Sequence, residues 1–92
     1  MSKRSKSGDL EIINPLGLHA RAASKLVSTA NRFEAEVWIG KDGQEVNGKS
    51  ILGVLMLAAA MGSQIRVRCE GVDSGDAFAA IASLVREGFG EL

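Results

Sequence analysis

The chain contains a single histidine, His19, and the residues on its two sides differ in character. Pro15 and Gly17 precede it and are turn-forming residues, whereas an amphipathic helical pattern begins directly after it. We therefore expect His19 to lie at the start of a helix. Because the first backbone N–H groups of a helix have no partner within the helix, this position is suited to binding phosphate.

Arg21 lies two residues after His19 and adds a positive charge whose forked donors match phosphoryl oxygens. A neutral imidazole has a lone pair that can attack phosphorus, and the positive helix end then favours the dianion that results. An exposed helix end contributes only about 0.3–1 kcal/mol, which is too little to trap a phosphoryl group. The pattern predicts a side chain that accepts a phosphoryl group and passes it on.

Three other interpretations remain open from the residues alone. His19 could be purely structural, although a cationic histidine is disfavoured at the positive end of a helix. The chain could be a small acylphosphatase-like hydrolase in which Arg21 and Asn14 steer water, although the loop lacks a run of N–H donors. It could also be a module without chemistry that binds regulators through Leu52 and Leu55.

Hydrophobic periodicity predicts seven elements in the order β-α-β-β-α-β-α. The strands are expected at 10–13, 35–39, 44–47 and 65–70. The helices are expected at 20–31, at 51–60, and from caps at Asp73 and Ser74 to Gly88. Strands with one polar face and helices with one apolar face predict an α+β fold, in which helices cover one side of an antiparallel sheet.

The second predicted helix is more apolar than one buried stripe requires. If Val54 and Leu57 point inward, then Ile51, Leu52 and Leu55 cannot all be hidden against a sheet. The excess predicts an exposed apolar patch, and such patches often mark protein–protein contacts. The alternative is a helix that is wholly buried in the core of a small protein.

Ser50 directly precedes this helix and has the chemistry of an N-cap, which is worth about 1 kcal/mol. Its functional interpretation is a regulatory phosphorylation site. A phosphoserine at this position would be tolerated by the helix dipole, yet it would place about two negative charges beside the apolar patch. Docking would then weaken while the fold survived.

Composition limits the class of protein. The 92 residues predict one domain at 9–92, preceded by a flexible basic extension at 1–8. Eleven basic and 11 acidic residues give zero net charge, which argues against nucleic-acid binding. We expect a cytoplasmic protein, because no export signal or membrane span is recognisable. One histidine and one cysteine, Cys69, are too few for a metal site, and Cys69 should be buried.

Two segments together resemble the HPr family of histidine-containing phosphocarriers, which serve the bacterial phosphoenolpyruvate-dependent phosphotransferase system. These segments are Gly17-Leu18-His19-Ala20-Arg21-Ala22-Ala23 and Asn47-Gly48-Lys49-Ser50-Ile51-Leu52-Gly53-Val54. The resemblance extends from about Leu10 to the C-terminus. It implies an open-faced β-sandwich, with three helices on one face of a four-stranded antiparallel sheet.

The resemblance also implies a carrier rather than an enzyme. His19 would accept a phosphoryl group on Nδ1 from enzyme I, itself charged by phosphoenolpyruvate, and would pass it to IIA domains or proteins. Arg21 matches the family's active-centre arginine, and Ser50 matches the serine that an HPr kinase/phosphorylase modifies in some bacteria. The family's partner-docking surface is matched by Ala20, Ser24, Ile51, Leu52, Leu55 and Met56.

One departure and one alternative accompany this resemblance. The family usually has Pro-Ala after the arginine, whereas this chain has Ala22-Ala23, which restores an N–H donor and some flexibility. We expect transfer to persist at an altered rate. Segments 33–37 and 54–57 also resemble the nitrogen-related paralogue NPr, so a nitrogen-type regulatory phosphorelay is the alternative. We expect a monomer that needs no cofactor.

Overall fold

The computed structural model describes residues 4–92 and contains the predicted elements in the predicted order. The strands are β1 (Ser5–Glu11), β2 (Glu36–Lys41), β3 (Gln44–Asn47) and β4 (Gln64–Glu70). The helices are α1 (Ala20–Ala30), α2 (Ile51–Met56) and α3 (Ser74–Arg86). A short 3-10 helix at Gly88–Gly90, which the sequence did not predict, follows α3.

The four strands form one antiparallel sheet in the order β1-β4-β2-β3. Val67 of the inner strand β4 lies between Gly8 of β1 and Ile39 of β2, which fixes the register across the sheet. The β2–β3 hairpin turns at Asp42 and Gly43, whose φ angles of 52° and 83° are both positive. A two-residue hairpin turn that matches the strand twist requires this geometry, as the Asp-Gly pair predicts.

The core lies between one face of the sheet and the apolar faces of the three helices. Alternation along β2 and β4 sends Val37, Ile39, Ile65 and Val67 into this layer, where they are fully or almost fully buried. Cys69 is buried in the same layer as predicted, and this burial raises the pKa of its thiol to about 11. The predicted α+β class and the one-sided arrangement of helices are confirmed.

The opposite face of the sheet is polar, and no helix of the described part of the chain covers it. Arg68 donates to both carboxylate oxygens of Glu45 at 3.0 and 2.8 Å, and its guanidinium lies 5.5 Å from the Trp38 ring centroid. The charged Arg68 side chain therefore lies over the half-buried Trp38 ring and shields part of it from water. Within residues 4–92, no helix is long and apolar enough to cross a membrane.

The start of β1 corrects the expected domain boundary. The strand begins at Ser5 rather than at Leu10, and residues 5–8 pair with β4, so they do not form a flexible extension. The start of this strand was not predicted because residues 5–8 are polar and show no apolar alternation. On its core side, this part of β1 packs against α3. Lys6 lies over the Phe78 ring at 5.7 Å, and Gly8 leaves room for the same ring. Residues 1–3 of the expected extension lie outside the described residues.

Two helix ends also differ from the prediction. Helix α2 ends at Met56, not near Ala60, because Ala58 adopts a positive φ of 49° that ends helical geometry. Asp73 occupies the N-cap position of α3 but makes no capping bond. Its carboxylate instead accepts from the N–H groups of Glu34 and Ala35 at 2.9 and 2.8 Å. Asp73 therefore ties the start of α3 to the entrance of β2.

Candidate functional site

The loop before α1 is held in place by a glycine and by backbone hydrogen bonds. Gly17 has a φ of +64°, and a Cβ at this position would lie 2.4 Å from the Ala59 carbonyl oxygen. The next residue, Leu18, donates its N–H to the same oxygen at 2.8 Å and is itself buried. Only glycine combines this φ with this close approach. The loop therefore delivers His19 to a fixed position.

His19 is the N-cap residue of α1, as the sequence predicts. Its backbone is extended, with φ −74° and ψ 179°, and its carbonyl accepts from the Ala23 N–H at 2.8 Å. The imidazole makes no capping bond, so it does not occupy the free N–H groups of the first turn. These groups give the start of α1 a partial positive charge. The ring is therefore placed at an end of a helix that favours anions.

The imidazole has one protein partner that the sequence did not predict. His19 Nε2 lies 2.6 Å from Glu91 Oε2, across 72 residues of sequence. The His19 side chain is 25% exposed and that of Glu91 is 13% exposed, so the contact lies at the edge of the solvent. Nδ1 has no recorded hydrogen-bond partner among residues 4–92. The two ring nitrogens thus have different surroundings.

Asn14 holds the carboxylate of Glu91 from the other side. Its Nδ2 donates to Glu91 Oε1 at 2.9 Å and to the Gly17 carbonyl oxygen at 2.8 Å, while the residue is fully buried. The hydrogen bond from Asn14 is the main cause of a lowered pKa at Glu91; the His19 bond and the His19 and Arg21 charges lower it further. Glu91 is therefore a carboxylate near neutral pH.

The C-terminal turn, residues 88–91, places Glu91 against the ring. Phe89 is fully buried in spite of a positive φ of 56°, and Gly88 and Gly90 also have positive φ angles. Lys25 of α1 donates from Nζ to the Phe89 carbonyl oxygen at 2.7 Å. A buried aromatic anchor and a charged hydrogen bond together compensate for the unfavourable backbone conformation.

Arg21 is exposed on the first turn of α1 and contributes positive charge near Glu91. It lines a shallow surface cleft together with Pro15, Leu16, Lys25, Gly90 and Glu91. The two cations of this cleft, Arg21 and Lys25, are one helical turn apart on α1. The surroundings of His19 therefore combine a positive helix end with an exposed positive side chain.

Ser50 is the N-cap of α2, and its hydroxyl accepts from the Gly53 N–H at 3.2 Å. In α2, Val54 is fully buried, and Leu57 directly after the helix is almost fully buried, whereas Ile51, Leu52 and Met56 are 41%, 71% and 70% exposed. Leu55 is half-buried. The expected exposed apolar surface is therefore present, and the wholly buried alternative is wrong.

The remaining residues of the expected docking surface lie on α1, which packs against α2. Ala20 and Ser24 are exposed, on successive turns of α1 beside the helix start that holds His19. We call the set Ala20, Ser24, Ile51, Leu52, Leu55 and Met56 the α1–α2 surface. It places exposed apolar side chains beside the helix start that holds His19, the only imidazole of the chain.

The hydrolase interpretation fails on the geometry of Asn14. A residue that steers a water molecule must reach the reacting phosphorus, but Asn14 is fully buried and uses Nδ2 to hold the loop and Glu91. The geometry describes a small domain that presents an accessible imidazole on an open surface.

A partly exposed imidazole at a helix start, beside exposed apolar side chains, is the arrangement expected of the class of phosphoryl-carrier proteins. The family model for the PTS HPr component phosphorylation site matches residues 6–87. This chain belongs to the HPr family of the phosphotransferase system. Membership implies interaction with other components of that system.

Relatives support this assignment over most of the chain. The phosphocarrier protein HPr of Neisseria meningitidis serogroup A is 50% identical over 82 residues, which cover 89% of this chain and 92% of the relative. The crystal structure of HPr-C-His from Thermoanaerobacter tengcongensis has a TM-score of 0.92 at 39% identity, covering 95% and 98% of the two chains.

A dimer is also found among the solved relatives. The crystal structure of an HPr dimer from T. tengcongensis has a TM-score of 0.77 at 40% identity, with 89% of this chain and 94% of that chain covered. The family therefore includes a protein that was crystallised as a dimer. The monomeric state expected for this chain stays a prediction.

Proposed function

We propose that His19 is the phosphoryl acceptor of this phosphocarrier, taking the group on Nδ1 from enzyme I and passing it to IIA domains or proteins. The observation that carries this proposal is the position of the ring. His19 caps a helix start with its imidazole partly exposed, and Glu91 engages Nε2. Nδ1 is therefore the ring nitrogen that is available to form a bond to phosphorus.

The charges around the ring suit a group that is received and then given away. The positive end of α1 and the Arg21 side chain both favour a phosphoryl dianion on Nδ1. Arg21 is solvent-exposed, so its contribution is screened by water and stays modest. In this proposal Arg21 steadies the phosphoryl group during transfer without holding it.

Partner docking is assigned to the α1–α2 surface. Leu52 and Met56 are the most exposed apolar side chains of α2, and a helix with so much apolar exposure is costly unless a partner covers it. The first occupant proposed is enzyme I, because the donor must approach His19 to transfer its group. IIA acceptors would use the same surface in turn, since both reactions occur at one imidazole.

Ser50 is proposed as a site at which an HPr kinase/phosphorylase regulates docking. Its hydroxyl lies at the start of α2, next to Ile51 of the α1–α2 surface. A phosphate there would keep the N-cap hydrogen bond available and would add about two negative charges beside apolar side chains. Phosphorylation would therefore weaken partner binding while α2 persists.

The sugar-uptake branch of the phosphotransferase system is favoured over the nitrogen-type alternative. The relatives described above are named for HPr, and Ser50 stands in its full Lys-Ser-Ile context. A phosphocarrier that meets enzyme I and IIA proteins works where those partners are found, so we propose a cytoplasmic location.

The proposal is tested by incubating the chain with enzyme I and labelled phosphoenolpyruvate. We expect one phosphate per chain that is labile in acid and stable in base, the behaviour of a phosphohistidine. His19→Ala should take up none, whereas Ser50→Ala should be labelled like the unaltered chain. Label that persists in His19→Ala would assign the acceptor to another residue.

A further inference from the structure

We propose that Glu91 is a positioning residue that fixes the proton of the neutral His19 ring on Nε2, and that Asn14 orients Glu91 for this role. The inference rests on the proposed function, because it assigns a task to residues around the same acceptor. Glu91 lies beyond residues 6–87, which match the family model, so the match itself says nothing of it.

The first step concerns the donor and the acceptor of the short contact. An ionised carboxylate can only accept a hydrogen bond, so Glu91 Oε2 requires a hydrogen on His19 Nε2 at 2.6 Å. A neutral imidazole carries one hydrogen, and placing it on Nε2 leaves the lone pair on Nδ1. The contact therefore selects the tautomer whose nucleophilic nitrogen is Nδ1.

The second step concerns the orientation of Asn14. Its amide nitrogen has two hydrogens, and both are used, one by the Gly17 carbonyl oxygen and one by Glu91 Oε1. Among residues 4–92, the buried Asn14 Oδ1 atom has no hydrogen-bond partner, and rotating the amide would turn that oxygen toward two acceptors. Asn14 can therefore only donate from Nδ2 in this position. Whichever atom of residue 91 faces Nδ2 must be a hydrogen-bond acceptor.

The transfer step uses this arrangement without moving the ring proton. The Nδ1 lone pair forms a bond to phosphorus while the bond from phosphorus to the donor atom of enzyme I breaks, and its electron pair leaves with that atom. The ring, now substituted on Nδ1 and still protonated on Nε2, is cationic. Glu91 then faces a full positive charge on the ring, which stabilises the product, and the cationic ring is a good leaving group in the onward transfer.

The substitution Glu91→Gln gives the sharpest test because Asn14 dictates the orientation of the new side chain. The carbonyl oxygen of the introduced amide must accept from Asn14, so its NH₂ group must face His19 Nε2. This arrangement requires a lone pair on Nε2 and moves the ring proton to Nδ1. Glu87→Gln is the matched control, because Glu87 is an exposed glutamate that contacts Ser83 and not His19.

The measurement is ¹⁵N NMR of the His19 ring in the full chain at about pH 8.5, where an ordinary imidazole is neutral. We expect protonated Nε2 in the unaltered chain and in Glu87→Gln, and a shift toward protonated Nδ1 in Glu91→Gln. Equal tautomer ratios in all three chains would overturn the inference. If Glu91→Gln does not fold, Glu91→Ala replaces it, and a ratio unchanged from the unaltered chain would again overturn it.

A rate measurement separates positioning from a merely structural role. Glu91→Gln should slow phosphorylation by enzyme I about tenfold, which corresponds to about 1.4 kcal/mol, with KM for enzyme I unchanged because the α1–α2 surface is intact. A changed KM with an unchanged kcat would contradict the role. The NMR test needs no donor protein, so equal tautomer ratios would overturn the role of Glu91 and leave the phosphocarrier proposal intact. Conversely, if His19 were not labelled by enzyme I, the tautomer measured by NMR would still be valid.

Discussion

The two nitrogens of the His19 ring meet different surroundings, and this asymmetry is the centre of the site. Nε2 contacts a carboxylate that is held by a buried amide, while Nδ1 has no recorded partner among residues 4–92. Ring chemistry at Nδ1 therefore needs no rearrangement of existing hydrogen bonds. The residues that create the asymmetry lie at both ends of the chain.

The lowered pKa of Glu91 makes one contribution to folding depend on pH. A carboxyl whose pKa lies below its ordinary value of 4.5 stabilises the folded chain above that pH, and this stabilisation is lost as the pH falls through the lowered pKa. Glutamine does not titrate. In urea unfolding, the free energy of unfolding of the unaltered chain should therefore exceed that of Glu91→Gln by more at about pH 7 than at about pH 3. An unchanged difference at the two pH values would contradict the hydrogen bonds assigned to Glu91.

Ser50 allows its structural and regulatory roles to be measured separately. Ser50→Ala removes the hydrogen bond to the Gly53 N–H and should lower the free energy of unfolding by about 1 kcal/mol. Ser50→Asp retains an N-cap acceptor, so its melting temperature should stay close to that of the unaltered chain while binding of enzyme I weakens. Unchanged transfer kinetics in Ser50→Asp would remove the regulatory proposal.

At the scale of elements, α2 is a short helix whose stability and function use different faces. Its inward residues complete the core, whereas Leu52 is 71% exposed. We predict that Leu52→Ser leaves the free energy of unfolding within about 0.5 kcal/mol and raises KM for enzyme I about fivefold or more. Val72→Ser, at a similarly exposed apolar position outside the α1–α2 surface, is the control. Equal KM values for the two variants would argue against docking at α2.

The loop that delivers His19 depends on Gly17. Gly17→Ala combines an unfavourable φ with a collision against the Ala59 carbonyl oxygen, and should destabilise the fold by at least about 2 kcal/mol. Gly43→Ala is the matched control, because Gly43 also has a positive φ but an added Cβ would meet nothing within 4 Å. Its cost should be clearly smaller in urea unfolding. Equal losses would show that the close approach at Gly17 is unimportant.

Local patterns predicted most elements because their causes are local. Alternating apolar residues predicted β2 and β4, Asp42-Gly43 predicted the hairpin, and the excess of apolar residues predicted the exposed side of α2. The start of β1 escaped prediction because Ser5–Gly8 is polar, and the ring of Phe78, far along the chain, covers that end of the strand. Tertiary packing overrode the weak local signal.

At the scale of the whole molecule, the fold brings residues from the two ends of the domain together at the His19 ring. The helix start, Arg21 and Ser50 could be placed from the sequence, because turn residues, charge and capping chemistry are local signals. Glu91 could not, since it reaches His19 across 72 residues and follows a turn with three positive φ angles. No periodicity extends through such a turn. The least predictable part of the site is thus the contact that distinguishes the ring nitrogens.

The position of the phosphoryl group on the His19 ring is the most direct test of the proposed chemistry. The chain, labelled with ¹⁵N and phosphorylated by enzyme I, can be examined for phosphorus–nitrogen coupling, which identifies the bonded nitrogen. We predict bonding at Nδ1, with Nε2 still protonated and facing Glu91. Phosphorus bonded to Nε2 would contradict this chemistry, because Nε2 is the nitrogen that is hydrogen-bonded to Glu91 in the structure.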